Sequence, residues 1–378
     1  MDNFKDALIK KVSEAGLNNF GIDNYDEFRF GKNHDIKAVN PGLLSQIKKK
    51  VKKIIGYNRE NDRLSAEKIL DDLKEYKGRL ELVFQNINGV DKDLLVSLIV
   101  YKAMGYTKVK LPRNNPDYWK ALETVKKLKY TNETYDPHFM HIILEKFNLE
   151  PLRYDIKLFF NDLGVAIDFI LEQYAYKNRR QTLVQAESGD VILDIGGCWG
   201  DTALYFAHKT GENGRVFSFE FIPDNIKLHR INTQLNPQLD KRIELVPHPV
   251  SDATGTTIYF KDNGPGSRIE PAPFEGQTGF TTTISIDDFV EQKGLQKVDF
   301  IKMDIEGTEP IALQGAIKTI KKYKPKLAIA IYHSMDDFVN IPKWILDLDL
   351  DYEIFIGHYT IHAEETICFA RQKVNSGF

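Results

Sequence analysis

The chain has 378 residues, of which 42% are hydrophobic and 28% are charged, with a formal net charge of -3. This length predicts one large domain with a smaller one appended, and the charge argues against a nucleic-acid partner or an anionic membrane surface. No apolar run is long enough to span a membrane, and only two cysteines, Cys198 and Cys368, are present, so we expect a cytoplasmic protein without a disulfide framework.

Residues 1–150 show mainly helical patterns. The first segment, MDNFKDALIKKVSEAGL, predicts an amphipathic charged helix and lacks the long apolar core of a signal peptide. Apolar residues at helical spacing predict further helices in Leu64–Tyr76 and Asp91–Gly105. The lysine run Lys48–Lys53 favours a solvated helix face over a contact with an acidic partner. We expect residues 1–150 to be an accessory region with substrate or dimer contacts.

From about Glu187 onward, short apolar strands alternate with amphipathic helices. The segments VILDIG, RVFSFE, VDFIKMD and KLAIAIYH are each followed by a helical pattern, which is typical of a mostly parallel sheet with helices on both faces. Two final strands, YEIFIGHYT and EETICFA, have no helix between them and predict an antiparallel pair at one edge. We therefore assign residues 151–378 to an α/β domain that binds ligands beyond the carboxyl ends of its strands.

This alternation fails between Ser251 and Phe289. The stretch contains DNGPGSRIEPAPFEGQTG, in which Gly and Pro are too frequent for regular structure. We expect an irregular insertion over the sheet, with Thr254–Thr281 helping to select the substrate.

The segment LDIGGCWGDTALYFA passes from a strand through a glycine-rich turn into a helix. Glycines let a backbone pass close to a ligand, and the helix start offers unpaired N–H groups with Asp201 and Thr202 in its first turn. A carboxylate before the turn suits a ligand with a positive centre. The turn residues expected at the ligand are Asp194, Gly196, Gly197 and Gly200.

Glu220 ends the next strand and can accept hydrogen bonds from both hydroxyls of a ribose. A ribose-binding acid combined with a site for a cationic amino-acid group indicates S-adenosylmethionine as the ligand. A nicotinamide-dependent oxidoreductase would share the sheet and the acid, but Cys198 and Asp201 occupy positions where a dinucleotide fingerprint has glycines. That alternative stays open, as does a binding module without catalysis.

Several segments together resemble the FkbM-type methyltransferases, a branch of the S-adenosylmethionine-dependent class I enzymes. The resemblance spans roughly Glu172–Ala370 and rests on GDVILDIGGCWGDTALYFA, GRVFSFEFIPDN, VDFIKMDIEGTEPIALQGA and KLAIAIYHSMDDF. It implies the seven-stranded class I methyltransferase sheet with an antiparallel last strand. It also implies S-adenosylmethionine as the methyl donor and S-adenosylhomocysteine as the product, with Gln173 and Tyr174 facing the donor's amino-acid end. We add Ser251 to the residues expected at the donor.

Residues directly after two strands, Asp304, Glu306 and His333, are candidates for positioning the methyl acceptor and removing its proton. A hydroxyl acceptor needs a general base, and His333, directly after the strand KLAIAIY, is our candidate. The alternative is a structural histidine that caps the following helix. Asp304 is expected to orient the acceptor hydroxyl or the histidine, and Glu306 either does the same or holds the loop. A divalent cation bound by these three residues is possible but not favoured.

The resemblance points to a sugar hydroxyl as the acceptor, on a bacterial surface glycan or a nucleotide-linked precursor. A polyketide-type natural product is the other acceptor class. Arg268 is a candidate anchor for an acceptor phosphate or carboxylate. His358 and His362 flank the last hairpin, where they either line the acceptor site or lie on the surface. A homodimer is possible.

Overall fold

The computed structural model describes residues 3–18, 20–25, 59–178 and 182–373. The chain divides into two compact units. Unit 1 contains the described residues up to Trp119 together with Ile354–Thr366, and unit 2 contains Lys120–Glu353 and the residues from Ile367 onward. The lysine run Lys48–Lys53 lies outside the described residues.

Unit 1 is built mainly from helices, as the apolar spacing predicts. The first helix buries Phe4, Leu8 and Val12, which recur every four residues on one face. The helix expected at Asp91–Gly105 begins after Asn88, whose side chain accepts hydrogen bonds from two N–H groups of the first turn, and ends at Gly105, whose φ is positive at 76°. The described helices of unit 1 are α1 (Phe4–Gly16), α2 (Arg59–Asp72), α3 (Lys77–Asn86) and α4 (Gly89–Met104).

The boundary between the units falls after Trp119 and not at residue 150. Helix α5 (Pro116–Val125) leads into an antiparallel sheet of β1 (Lys129–Tyr135), β2 (Leu144–Asn148) and β3 (Lys157–Phe160). The side chain of Asn232 accepts a hydrogen bond from the N–H of Phe159 at 2.7 Å, and Asn236 accepts one from Lys157 at 2.8 Å. These bonds join the small sheet to residues of unit 2 that are more than seventy positions away. A separate antiparallel pair follows, formed by β4 (Tyr176–Lys177) and β5 (Thr182–Val184).

A seven-stranded sheet within the described residues forms the centre of the α/β fold. Its order is β14-β15-β13-β12-β6-β7-β8. The pairs from β8 to β13 are parallel, and β15 runs antiparallel to β13. Leu193, Ile301 and Leu327 are register neighbours on three adjacent strands, and all are fully buried. The strands are β6 (Val191–Ile195), β7 (Arg215–Phe219), β8 (Ile243–Val246), β12 (Phe300–Met303), β13 (Lys326–Ala330), β14 (Tyr352–His358) and β15 (Thr366–Gln372).

This strand order and the antiparallel β15 confirm the predicted class I methyltransferase sheet. Helices connect the parallel strands, as the alternating pattern predicts. No helix within the described residues combines the length and the apolar character needed to cross a bilayer. The described helices of unit 2 that follow α5 are α6 (Asp162–Val165), α7 (Asp201–Thr210), α8 (Pro223–Gln234), α9 (Pro237–Asp240), α10 (Ile286–Gln292), α11 (Glu309–Gln314), α12 (Ile317–Tyr323) and α13 (Met335–Asp347).

The expectation of an irregular insertion between Ser251 and Phe289 is wrong. The stretch contains a three-stranded antiparallel sheet of β9 (Thr257–Lys261), β10 (Arg268–Glu270) and β11 (Gly279–Thr282). The ring of Phe260, on the central strand β9, is buried between these short strands. A Cβ at Gly279 would lie 2.6 Å from that ring, so glycine permits close packing here rather than disorder.

Candidate active site

The glycine-rich turn after β6 has no room for side chains at two positions. Gly196 has φ of 90°, and a Cβ there would lie 1.9 Å from the backbone oxygen of Asp304. A Cβ at Gly197 would lie 1.9 Å from the hydroxyl oxygen of Ser218. Gly200 also has a positive φ, of 84°, directly before α7. The predicted glycine turn therefore exists, and it touches the end of β12.

Asp194 holds this turn in place through a buried polar network. Its carboxylate accepts hydrogen bonds from Thr202 at 3.0 Å and Ser218 at 2.9 Å, and lies 3.3 Å from the ammonium of Lys302. Lys302 also donates to the backbone oxygen of Gly196 at 2.6 Å. Because Asp194 is fully buried and bound by these groups, it supports the turn instead of providing the expected contact to a ligand's cation.

Sequence reasoning missed Lys302, although a lysine inside the apolar strand VDFIKMD is a visible signal. Burial by itself lowers the pKa of this ammonium, but the carboxylates of Asp194, Asp304 and Asp201 raise it above its usual value. Lys302 therefore stays charged in the interior of the sheet, because three acids converge on it.

Glu220 follows β7 and is held by its own loop. One carboxylate oxygen accepts hydrogen bonds from the N–H groups of Phe221 and Ile222, each at 2.7 Å, and the other accepts one from Asn225 at 3.1 Å. Burial raises the pKa of Glu220 to about 7, although these hydrogen bonds lower it. The oxygen bonded to Asn225 retains acceptor capacity for a ligand hydroxyl.

The first turn of α7 contains a second buried acid. Burial raises the pKa of Asp201 to about 6, against the opposing effects of Lys302 and of a side-chain hydrogen bond with Asp168. Two carboxyl groups can share a hydrogen bond only when one of them carries the proton. Asp168, on the π-helical turn Ala166–Ile170, is a further residue that the sequence did not reveal.

Two tyrosines orient Asp304 at the end of β12. The hydroxyl of Tyr174 donates to its carboxylate at 3.2 Å, and the hydroxyl of Tyr332 does so at 3.1 Å. Gln173 donates to the hydroxyl of Tyr174 at 3.4 Å. The pair Gln173 and Tyr174, expected near the donor, is therefore joined to the strand-end acid.

His333 lies among three carboxylates. Its Nε2 is 3.4 Å from Asp304 and 3.7 Å from Glu306, and its Nδ1 is 3.2 Å from Glu309. Burial by itself lowers the pKa of His333, but Glu309, Asp304 and Glu306 raise it to about 9. The ring therefore carries a proton at neutral pH in this arrangement, which does not suit the expected general base.

Glu309 is the acid that sequence reasoning missed in the motif IEGTEP. It is fully buried, and its Oε1 accepts a hydrogen bond from the N–H of Ile305 at 2.8 Å. Glu306, by contrast, has a side chain that is 54% exposed and a backbone in the left-handed region. The residues whose ligand atoms all lie within 4.8 Å of one another are Asp304, Glu309 and His333, and this set contains Glu309 where the sequence suggested Glu306.

The other expected residues lie apart from these contacts. Ser251 donates to the carboxylate of Asp252 at 3.0 Å. Arg268 is exposed on β10 and pairs with Glu270 at 2.6 Å. His358 belongs to unit 1, and burial lowers its pKa to about 3, so its ring is neutral. The alternative that His358 lies on the surface is wrong, because it is 3% exposed.

Comparison with known proteins identifies the domain that carries this site. Residues 184–354 match the family described as "Methyltransferase FkbM domain". A curated relative, 2-O-methyltransferase NoeI of Sinorhizobium fredii (strain NBRC 101917 / NGR234), is 29% identical in an alignment of 165 positions that covers 39% of this chain. The chain spans 65% of the length of that relative.

Two solved structures are similar at lower identity. Methyltransferase FkbM from Methylobacillus flagellatus KT is 19% identical with a TM-score of 0.48, and the match covers 79% of this chain and 60% of that one. Aeropyrum pernix fibrillarin, solved with natively bound S-adenosyl-L-methionine, is 13% identical with a TM-score of 0.32, over 60% of this chain and 93% of that one. The match to the FkbM methyltransferase domain covers residues 184–354, the part of the chain that contains the glycine turn, Asp304 and His333.

Proposed function

We propose that this methyltransferase transfers a methyl group from S-adenosylmethionine to a hydroxyl group of a sugar. The observation that carries the proposal is the alignment of three strand ends. Ile195, Met303 and Ile329 are register neighbours on β6, β12 and β13. The glycine turn, Asp304 and His333 follow these strands, so donor-binding and acceptor-binding groups converge on one edge of the sheet.

The residues of this edge fit S-adenosylmethionine. Gly196 and Gly197 let the turn pack directly against Asp304 and Ser218 at the strand ends, and Glu220 keeps an acceptor position for a ribose hydroxyl. When bound, the cofactor supplies an electrophilic sulfonium methyl group. The remaining residues that we assign to it are Gln173, Tyr174, Gly200, Asp201, Thr202 and Ser251, with Asp194 supporting the turn.

The acidic residues after β12 would handle the acceptor proton. Methylation forms a carbon–oxygen bond at the acceptor and releases the hydroxyl proton, which must pass to a base. Asp304 is fixed by two tyrosines and suits the positioning of the hydroxyl. Glu306, the more exposed carboxylate, is 3.7 Å from His333 and suits the role of proton acceptor.

A hydroxyl acceptor is supported by the relative whose name specifies 2-O-methylation. The resemblance to FkbM-type enzymes favours a sugar of a bacterial surface glycan or a nucleotide-linked precursor, with Arg268 and His358 as acceptor contacts. Cys198 and Cys368 are both thiols, which favours action in the cytoplasm. A homodimer formed through the N-terminal region remains part of this proposal.

The test uses the full chain and methyl-labelled S-adenosylmethionine with a panel of nucleotide-linked sugars, bacterial glycans and a polyketide alcohol. We expect label in a sugar, located by mass spectrometry as an O-methyl group. Asp304→Asn should abolish transfer, whereas Asp336→Asn, an exposed acid on α13, should leave it unchanged. Tight binding of NADH without binding of S-adenosylhomocysteine would instead establish the oxidoreductase alternative. Label in the polyketide alcohol alone would refute the sugar assignment.

A further inference from the structure

We propose that Asp304, Glu309 and His333 bind a divalent cation of the Mg²⁺ or Mn²⁺ type. The binding itself follows from the geometry of these three side chains. The role that we give the cation, holding the acceptor hydroxyl for methylation, rests on the proposed function.

The three side chains converge closely, at ion-pair distances that do not meet the geometry of hydrogen bonds. Each offers one ligand atom, and these atoms all lie within 4.8 Å of one another. The ring nitrogens of His333 lie 3.4 Å from Asp304 and 3.2 Å from Glu309, yet among the described residues neither nitrogen makes a hydrogen bond. Octahedral Mg²⁺ and Mn²⁺ sites place neighbouring ligand atoms about 3 Å apart.

Glu309 supplies an independent observation. Its side chain is 0% exposed, and its Oε2 has no hydrogen-bond partner among the described residues. Buried polar atoms in folded proteins are nearly always bonded, because an unsatisfied one loses its hydration without compensation. A cation bound to this carboxylate would compensate for the lost hydration.

The surrounding groups hold the carboxylates as metal ligands are usually held. Tyr174 and Tyr332 donate to Asp304, and the N–H of Ile305 donates to Glu309. Such outer hydrogen bonds fix ligand orientation in established metal sites. Two carboxylates and one imidazole form a donor set suited to Mg²⁺ or Mn²⁺.

The charge balance also favours a cation. Three carboxylates, those of Asp304, Glu306 and Glu309, surround a single imidazole within 3.7 Å. Even with a protonated ring and the ammonium of Lys302, which Asp194 and Asp201 also share, these carboxylates leave an excess of negative charge in a place where repulsion is poorly screened. A divalent cation would remove that excess.

On binding the cation, His333 would release its ring proton to solvent and would act as a ligand and not as a base. The acceptor oxygen would take an open coordination position, where a cation makes a hydroxyl more acidic. Its proton then passes to Glu306 as the oxygen–methyl bond forms and the methyl–sulfur bond breaks.

The test measures binding of Mn²⁺ alone to the full chain after treatment with EDTA. Electron paramagnetic resonance of free Mn²⁺ should show one bound ion per chain. Glu309→Gln and His333→Ala should each weaken binding at least about 10- to 100-fold, a loss that even outer-ligand changes cause. Asp336→Asn removes a nearby exposed acid, which donates no ligand atom, and should bind Mn²⁺ like the wild type.

A second measurement uses only the wild type, so it is informative even if Glu309→Gln and His333→Ala fail to fold. Pulsed electron paramagnetic resonance of Mn²⁺ bound to the wild type should show coupling to a directly coordinated ¹⁴N of histidine. No saturable binding, no nitrogen coupling, or binding that survives both substitutions would overturn the site. Methyl transfer that persists in EDTA would remove the catalytic role while leaving the proposed function intact. Mn²⁺ binding without methyl transfer to any acceptor would support the cation site and refute the proposed function.

Discussion

The ammonium of Lys302 and the carboxylate of Asp194 form a buried ion pair 3.3 Å apart, between register neighbours on β12 and β6. The two side chains are 2% and 0% exposed. The same ammonium donates to the backbone oxygen of Gly196, so this pair links strand β12, which directly precedes Asp304, to the glycine turn. The geometry of the candidate site therefore depends on a charge pair in the interior of the sheet.

Replacing Lys302 with methionine should strongly destabilise the fold. The substitution keeps most of the side-chain volume but leaves Asp194 as an uncompensated buried charge, a change that costs about 3–5 kcal/mol in other proteins. Urea unfolding measures the free-energy difference. Lys297→Met breaks the exposed pair with Asp299 and should cost about 0–1 kcal/mol. Equal losses in the two variants would mean that the Lys302 pair is not important for stability.

Gly196→Ala should impair both folding and donor binding. The added Cβ would meet the backbone oxygen of Asp304 at 1.9 Å in a left-handed conformation, so the turn and the strand end must move apart. Overpacking of this kind costs about 1–3 kcal/mol. Calorimetry with S-adenosylhomocysteine should show weaker binding. Gly78→Ala, where a Cβ meets nothing within 4 Å, is the matched control and should bind normally. Normal binding by Gly196→Ala would contradict the role of the turn.

Glu220 should make the stability of the fold depend on pH. Its pKa is raised to about 7 in the folded state, from 4.5 for an ordinary glutamate, because it is buried. The folded state thus holds a proton that the unfolded state has lost between these values, and stability falls as pH rises through this window. Urea unfolding from about pH 4 to about pH 8 should show a falling stability difference between the wild type and Glu220→Gln. A constant difference would mean that Glu220 has no raised pKa.

Tyr332→Phe should weaken the cation site without unfolding the chain. It removes one hydrogen bond that orients Asp304, and outer hydrogen bonds of this kind contribute about 10- to 100-fold in metal affinity. Mn²⁺ titration measures the change. Tyr352→Phe removes a comparable buried bond to the backbone oxygen of Pro325 and should leave Mn²⁺ affinity unchanged. Equal effects of the two substitutions would attribute the loss to general destabilisation.

Local patterns in the sequence were sufficient to predict the parallel sheet and the glycine turn. The alternation of apolar strands with amphipathic helices reflects burial on both sides of a parallel sheet, and that constraint acts within a few residues. The turn is equally local, since Gly196 and Gly197 follow directly on a strand. The strand-end rule correctly located Asp304 and His333 at the same edge.

The tertiary structure decided how these side chains are used. Lys302 and Glu309 were not identified as site residues, because their burial depends on strands and helices distant in sequence. The sheet of β1, β2 and β3 is bonded to Asn232 and Asn236, and the strands near Phe260 pack closely at Gly279, and both arrangements join residues that are distant in the sequence. The sequence by itself determined the alternation of strands and helices along the chain. It also determined the edge of the sheet at which we place the site, because both follow from local periodicity. Charge pairing, burial and proton affinity arose only when distant segments met, since each depends on distances that the linear order does not contain.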